Sequence, residues 1–177
     1  KIKRANVIRD ENSFKRNLNM YVLSEDFFGN LSAPNSVLKE NLKVWLDNYR
    51  MINDTIDILD GKVINFGIKY EIISDIDANR FDLLERCNEA LKSDFLTIKF
   101  GLGESIYLSE VYKILNDVPG VTDTRNVEFY NIQGGAYSNY IYDIDSNISR
   151  DGRYLLVPPD SAAEVLFPDT DILGVIV

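Results

Sequence analysis

VINFGIKYEIIS, Val63–Ser74, alternates along its whole length. Ile64, Phe66, Ile68, Tyr70 and Ile72 fall on one side, and Asn65, Gly67, Lys69 and Glu71 on the other. Successive side chains of a strand point to opposite faces, so this period of two predicts a strand with one buried and one wet face. Thr55–Leu59 (TIDIL) stands just before it, separated by Asp60-Gly61. Asp-Gly between two such runs predicts a two-residue hairpin whose turn positions both take positive φ.

Working outward, Ser36–Ile52 has a helical period. Leu38, Leu42, Trp45, Leu46 and Tyr49 make one apolar stripe, opposite Lys39, Glu40, Lys43, Asp47 and Arg50. Asn35 or Ser36 suits the cap of its first turn. Asn79–Lys92 predicts a second helix capped by Asp77, with Phe81, Leu84 and Leu91 inward and Cys87 or Asn88 between them. Ser109–Asn116 predicts a short third helix, capped by Ser109, anchored by Val111, Ile114 and Leu115, and ended by Val118-Pro119-Gly120. Asn19–Ser24, Phe95–Phe100, Asn126–Ile132, Tyr137–Ile144 and Tyr154–Val157 predict strands or extended segments, and the chain ends on ILGVIV.

Helices and strands are mixed rather than strictly alternating. That order predicts an α+β fold: a two-layer helix-on-sheet domain with three helices and a β-rich C-terminal part. Residues 1–17 read as a polar N-terminal arm, 18–132 as the α+β domain, and 133–177 as a β-rich extension packed on it. The chain begins at Lys1 rather than at methionine, which reads as a fragment of something longer.

Composition narrows the chemistry. The 177 residues are 45% hydrophobic and 11% aromatic, as a folded chain requires. The net charge of −9 repels nucleic acid. The one basic cluster, Lys1, Lys3, Arg4, Arg9, Lys15 and Arg16, is interrupted by Asp10 and Glu11 and reads as a solvated arm. No apolar run is long enough for a spanning helix, and no secretory pattern is visible. The lone Cys87 forms no disulfide within the chain, fits a reducing compartment and reads as a buried structural thiol.

Histidine is absent, which removes Ser-His-Asp and Cys-His arrangements and the commonest metal ligand. Gly101-Leu102-Gly103 lacks the further glycines or the GK[ST] that a phosphate cradle needs, and reads as a tight turn. Asp143, Asp145, Asn147 and Ser149 imitate the first half of a calcium loop. Ile148 stands where that loop needs glycine, however, and Tyr154 where it needs a bidentate carboxylate. Asp75, Asp77 and Asn79 begin likewise and fail at Arg80. Cap and turn roles suit both stretches. Whether the Asp143–Asp151 loop takes an ion is open in the sequence. No catalytic, cofactor or metal residue is expected. Tyr137, Tyr140 and Tyr142, with Tyr130 nearby, cluster as tyrosines do both in strand packing and at protein interfaces.

GESIYLSEVYKILNDVPGV, Gly103–Val121, resembles the baseplate J-like family of contractile phage tails. The shared pattern is Gly103, the extended pair Ile106 and Leu108, Ser109 opening a short helix, then Val118, Gly120 and Val121 turning into a strand. Ser32–Gly61, SAPNSVLKENLKVWLDNYRMINDTIDILDG, is similar to that family's Pro-led helix followed by a hairpin, in wording nearest the T-even-type baseplate wedge proteins. Leu166–Val177, LFPDTDILGVIV, resembles their C-terminal end. The resemblance runs over residues 18–177 and is weakest between Gly134 and Asp151. It implies a J-like structural protein of the virion, without catalytic residues or cofactors. It also implies pairing with a second copy and contacts with other baseplate wedge and hub proteins, in assembly and in the rearrangement on sheath contraction. This chain would be the C-terminal portion of a longer protein, found in the virion and, during assembly, in the host cytoplasm. No nucleic acid, membrane or small-molecule substrate is expected. Two other classes stay open in the residues: a tail-associated hydrolase of glycans working with a carboxylate pair, and a calcium-stabilised adhesion domain.

Overall fold

Ile64, Phe66, Ile68, Tyr70 and Ile72 are all buried, each at most 1% exposed, in the computed structural model. It describes residues 1–10, 17–49, 55–76, 78–96 and 100–177. The class is α+β, with ten strands and five helices among the described residues. Two of those helices are single turns. The chain forms two compact units. One is Lys1–Val63 with Gly101–Glu104 and Val157–Ala162; the other is Ile64–Phe100, Ser105–Leu156 and Ala163–Val177. This differs from the expected division at 17 and 132. The segment after Ile132 is tied into the second unit from its start, where Ile132 N donates to Asn65 O at 3.1 Å.

The first unit is built on β2 (Asn17–Glu25), whose Val22 and Leu23 are fully buried. β1 (Ile2–Arg9) pairs with it antiparallel, as does the short β3 (Leu31–Ser32). The predicted arm is therefore a strand in its described part. Ile2, Arg4, Asn6 and Ile8 alternate with exposed neighbours, a period disguised by the polar residues on both faces. Lys15 and Arg16 of the basic cluster lie outside the described residues. α1 (Ser36–Asp47) is capped by Asn35, whose Oδ1 accepts from Leu38 N at 2.8 Å. Arg50 and the predicted last turn to Ile52 lie outside the described residues.

α1 is a crossover, because β4 (Thr55–Asp60) returns parallel to β2, Asn17 facing Thr55 and Val22 facing Asp60. The predicted Asp60-Gly61 hairpin does not form. Gly61 N donates to Val22 O at 2.9 Å, and its φ is not positive. Glycine is needed there for space: a Cβ on Gly61 would stand 2.8 Å from Leu23 Cγ. The sequence signal was a real constraint with a different cause.

In the second unit β5 (Lys62–Ser74) is the central strand from Ile64 onward. β7 (Val121–Asn131) pairs with it antiparallel, and β10 (Ile172–Ile176) pairs parallel, Ile172 facing Ile68. β9 (Ser161–Glu164) also pairs with β5, and β6 (Ile106–Tyr107) pairs with β8 (Tyr154–Leu155). The expected wet face of β5 is partly covered. Asn65 is buried because its side-chain oxygen accepts from Ser138 N at 2.7 Å, and Gly67 is buried beneath Tyr130.

α2 (Arg80–Ala90) starts one residue later than predicted and is capped by Asn79; Asp77 lies outside the described residues. Its buried line is Leu83 and Cys87, continued by Leu91 and Phe95 in a π-helical turn, Leu91–Phe95. Phe81, predicted inward, is 86% exposed, because the four-residue stagger from Leu83 takes the inner line. Phe95 is thus helical rather than extended, and residues 97–99 lie outside the description.

α3 (Leu108–Asn116) begins before Ser109, with Tyr107 at the cap position and no side-chain cap. The first donor is met instead by backbone, Leu108 N to Arg153 O at 2.9 Å. Leu108, Val111 and Leu115 are buried and Ile114 half-buried, and Gly120 turns the chain with φ +97°. The core gathers Phe66, Phe95 and Phe129, with ring centroids 5.3 Å and 6.4 Å from Phe129. Each such fully buried side chain contributes about 1.5–3 kcal/mol. The predicted strand Tyr137–Ile144 is a loop ending in α4 (Ile144–Asn147), because side chains hold its backbone: Ser138 N bonds Asn65 and Tyr140 N bonds Ser138 Oγ. The C-terminal part is less β-rich than expected. It holds β8, β9, β10, α4 and α5 (Pro168–Asp171).

Candidate interaction surfaces

Three buried groups able to carry chemistry, Cys87, Tyr70 and Asp171, are held within the fold. Cys87 is fully buried, and burial pushes its thiol up to about 11, with Arg86 opposing. Burial also pushes the Tyr70 hydroxyl well above its usual range, and that hydroxyl donates to Asn88 Oδ1 at 2.7 Å. Asp171 is 2% exposed, and its carboxylate accepts from Tyr137 Oη at 2.7 Å, Thr170 Oγ1 at 3.1 Å and Phe167 N at 2.9 Å. Three donors satisfy a charge that would otherwise be costly to bury.

The calcium-like stretches serve caps and turns. Asp143 caps α4, accepting from Ser146 N and from the Ser146 hydroxyl, which holds the carboxyl below its ordinary range. Asn147 donates back to Asp143 O at 2.7 Å, and Ser149 Oγ donates to Asp151 at 2.6 Å, lowering that carboxyl too. Asp75 accepts from Thr122 Oγ1 at 2.9 Å. Among the described residues no three His, Cys, Asp or Glu side chains stand together as a metal site would require. No described helix is long and apolar enough to cross a membrane. Gly101 and Gly103 lie at a turn, with Gly101 N donating to Glu104 Oε2 at 2.6 Å.

The tyrosines named as interface candidates are turned largely inward. Tyr142 is buried and donates to Leu156 O. Tyr140 is half-buried, stacked on Tyr142 at 6.4 Å. Tyr137 is half-buried, bonded to Asp171 and edge-on to Phe167 at 5.4 Å. Tyr130 donates to Asp171 O at 3.1 Å, under the ammonium of Lys69. Strand and loop packing accounts for all four.

Exposed apolar groups stand on both units: Ile76, Phe81 and Ile141 of the second are exposed, and the first carries two exposed aromatic pairs. Phe27 and Phe28, 98% and 85% exposed, sit edge-to-face at the β2–β3 turn. Asp26 Oδ1 holds that turn by accepting from Phe28 N and Asn30 N at 2.8 Å and 2.9 Å. On α1, Leu38, Leu42 and Leu46 are half-buried, but Trp45 and Tyr49 of the predicted inner stripe are 56% and 72% exposed. Their rings pack on each other at 4.7 Å. Lys39, predicted outward, turns in to Asp60 at 3.0 Å. Pairs of this kind are rigid apolar anchors of the sort that dominate protein contacts. The signal was present as Phe-Phe ahead of the Gly29-Asn30 turn, and as Val37 and Val44 seven residues apart.

A cleft of about 510 Å³ opens beside α1. Asp10, Glu40 and Asp57 are among its walls. Asn17 joins two of them: its amide donates to Asp57 at 2.9 Å and to Asp10 at 3.5 Å, and its carbonyl accepts from Thr55 at 2.6 Å. The chain matches no protein-family model, and no curated protein sequence matches it at a significant level.

Proposed function

We propose that this chain is a non-catalytic structural component of a contractile phage tail baseplate wedge. It works by protein–protein contact in baseplate assembly and in the rearrangement that accompanies sheath contraction. The observation that carries the reading is two pairs of exposed aromatic rings on hydrogen-bonded elements of the first unit: Phe27 and Phe28 on their held turn, and Trp45 and Tyr49 on α1 with Val44 exposed beside them. Clustered apolar exposure of this kind marks contact surfaces. The resemblance of Ser32–Gly61, Gly103–Val121 and Leu166–Val177 to baseplate J-like wedge proteins supplies the machine. The full tethering of Asp171 and the burial of Cys87 support a role without turnover.

In this reading the partners are a second copy of the chain and other wedge and hub proteins, and the location is the virion, by way of the host cytoplasm. The second unit is read as two layers, with α2 and α3 on the sheet of β5, β7 and β10. The contacts of α2 with β10 and of α3 with β7 support that. Deleting the coding segment tests the function. The expected result is particles whose tails lack assembled baseplates; normal tails from the deletion would overturn it. A cell-wall zymogram of the purified chain separates it from the hydrolase reading, and clearing would favour the carboxylates of the cleft.

A further inference from the structure

β1 is the outer strand of its sheet: among the described residues it pairs with β2 and with no other strand. Asp10 N donates to Asn17 O at 3.0 Å at the end of that pairing. In an antiparallel ladder every second residue bonds the partner strand, so Ile8, Asn6 and Arg4 point their backbone groups at β2. Ala5, Val7 and Arg9 turn their N–H and C=O groups outward, and all three residues are exposed, Val7 at 51%. The alternate side chains are taken up within the unit, where Asn6 Nδ2 donates to Pro159 O at 2.8 Å. An edge with its backbone open in this way is a template for one more strand.

The charge on β1 says which strand fits. Lys1, Lys3, Arg4 and Arg9 stand there with no carboxylate among them, while all 28 carboxylates lie in the rest of the chain. Exposed Lys3 and Arg9 bracket exposed Ala5 and Val7. Arg9 has no side-chain partner among the described residues, and Lys3, 2.7 Å from Glu25, keeps its side chain 37% exposed. We infer that β1 takes up an extended acidic segment of another protein as an added strand, with carboxylates reaching Lys3 and Arg9 and apolar residues beside Ala5 and Val7. Backbone bonds supply the affinity of such a contact, and the alternate side chains choose the partner. The ion pairs stay at a wet edge, where they select more than they bind. The same cations keep a second copy of β1 away, as basic residues on sheet edges do. The inference stands on β1 alone and goes beyond the baseplate reading.

Two short probes test it: the acidic peptide ETVTVTE, which reads the same in either strand direction, and its basic counterpart KTVTVTK. Each is titrated to millimolar concentration against the whole, isotope-labelled chain, with amide hydrogen exchange followed by NMR. ETVTVTE is expected to bind about tenfold more tightly than KTVTVTK. It should slow exchange at the Ala5, Val7 and Arg9 amides and leave the Asn6 and Ile8 amides, already bonded to β2, nearly unchanged. Val7→Pro removes one outward donor and keeps every charge, a change that edge strands tolerate, and it should weaken ETVTVTE about tenfold. Arg9→Glu, at the exposed end of the strand, should abolish the preference for the acidic peptide, and it carries the test if Val7→Pro lowers the melting temperature. No binding of ETVTVTE, equal binding of the two peptides, or binding without protection of those three amides would each overturn the inference. So would tighter binding of a single-stranded DNA oligonucleotide than of ETVTVTE, which would give the cations to nucleic acid. None of these outcomes touches the deletion phenotype, which decides the baseplate reading.

Discussion

Tyr70 lies across Gly174. The two are partners in register on β5 and β10, and a methyl on Gly174 would stand 2.3 Å from Tyr70 Cζ. Tyr130 crosses its own partner, Gly67, in the same way one strand over. The pair of glycines lets two aromatic rings lie flat over the sheet and reach partners beyond it: Asn88 for Tyr70 and Asp171 for Tyr130.

Gly174→Ala is therefore expected to cost about 1–3 kcal/mol through overpacking. Urea unfolding measures it. In a Tyr70→Leu background, where the ring is gone, the same change should be nearly neutral. Equal cost in both backgrounds would contradict the steric explanation.

Asp171→Ala removes the acceptor shared by Tyr137, Thr170 and Phe167 N and leaves buried donors unmet. The expected loss is about 2–3 kcal/mol. Tyr137→Phe, which removes one donor and keeps the ring on Phe167, should cost about 1 kcal/mol. Thermal melts of the two variants order them.

Cys87 links stability to pH. Its folded pKa, about 11, exceeds its ordinary 9.0, so the unfolded thiol loses its proton first as pH rises. The unfolded state then binds fewer protons, and stability falls with pH. The contribution is intact below about pH 8.5 and is lost between roughly 9 and 11, amounting to some 2–3 kcal/mol. Urea midpoints of wild type and Cys87→Ala across pH 7–11 should converge with that profile. A wild-type slope identical to the variant's would show that burial of the thiol carries no such linkage.

Two caps with similar sequence signals should behave differently. Asn35→Ala removes the bond from Leu38 N and should cost about 1 kcal/mol. Ser109→Ala should fall within about 0.5 kcal/mol of wild type, since Ser109 lies inside α3 and caps nothing. Hydrogen exchange at the first turns of α1 and α3 distinguishes them locally.

Periodicity made the central strand, the three longer helices and Gly120 legible, because burial of one face leaves a repeat in the chain itself. Partner choice was not legible. Asp60-Gly61 carries the signature of a hairpin turn, yet β4 pairs in parallel register with β2, Asn17 facing Thr55 and Val22 facing Asp60, and the glycine answers to Leu23. β1 escaped notice because Arg4 and Asn6 sit where apolar residues would have announced the strand. For the surfaces, a tyrosine cluster looks the same whether it faces a partner or a loop. Tyr137, Tyr140 and Tyr142 are drawn inward by Asp171, by Leu156 and by one another. Trp45 and Tyr49 follow the helical period, but the sheet beside α1 accepts only the leucines.

The most direct test of the proposed baseplate role is quantitative mass spectrometry of contractile tails purified from whatever source encodes the chain. The chain should be present in a fixed ratio to the wedge and hub proteins and enriched in isolated baseplates. Its absence from purified tails, with the chain abundant in the infected cell, would contradict the role.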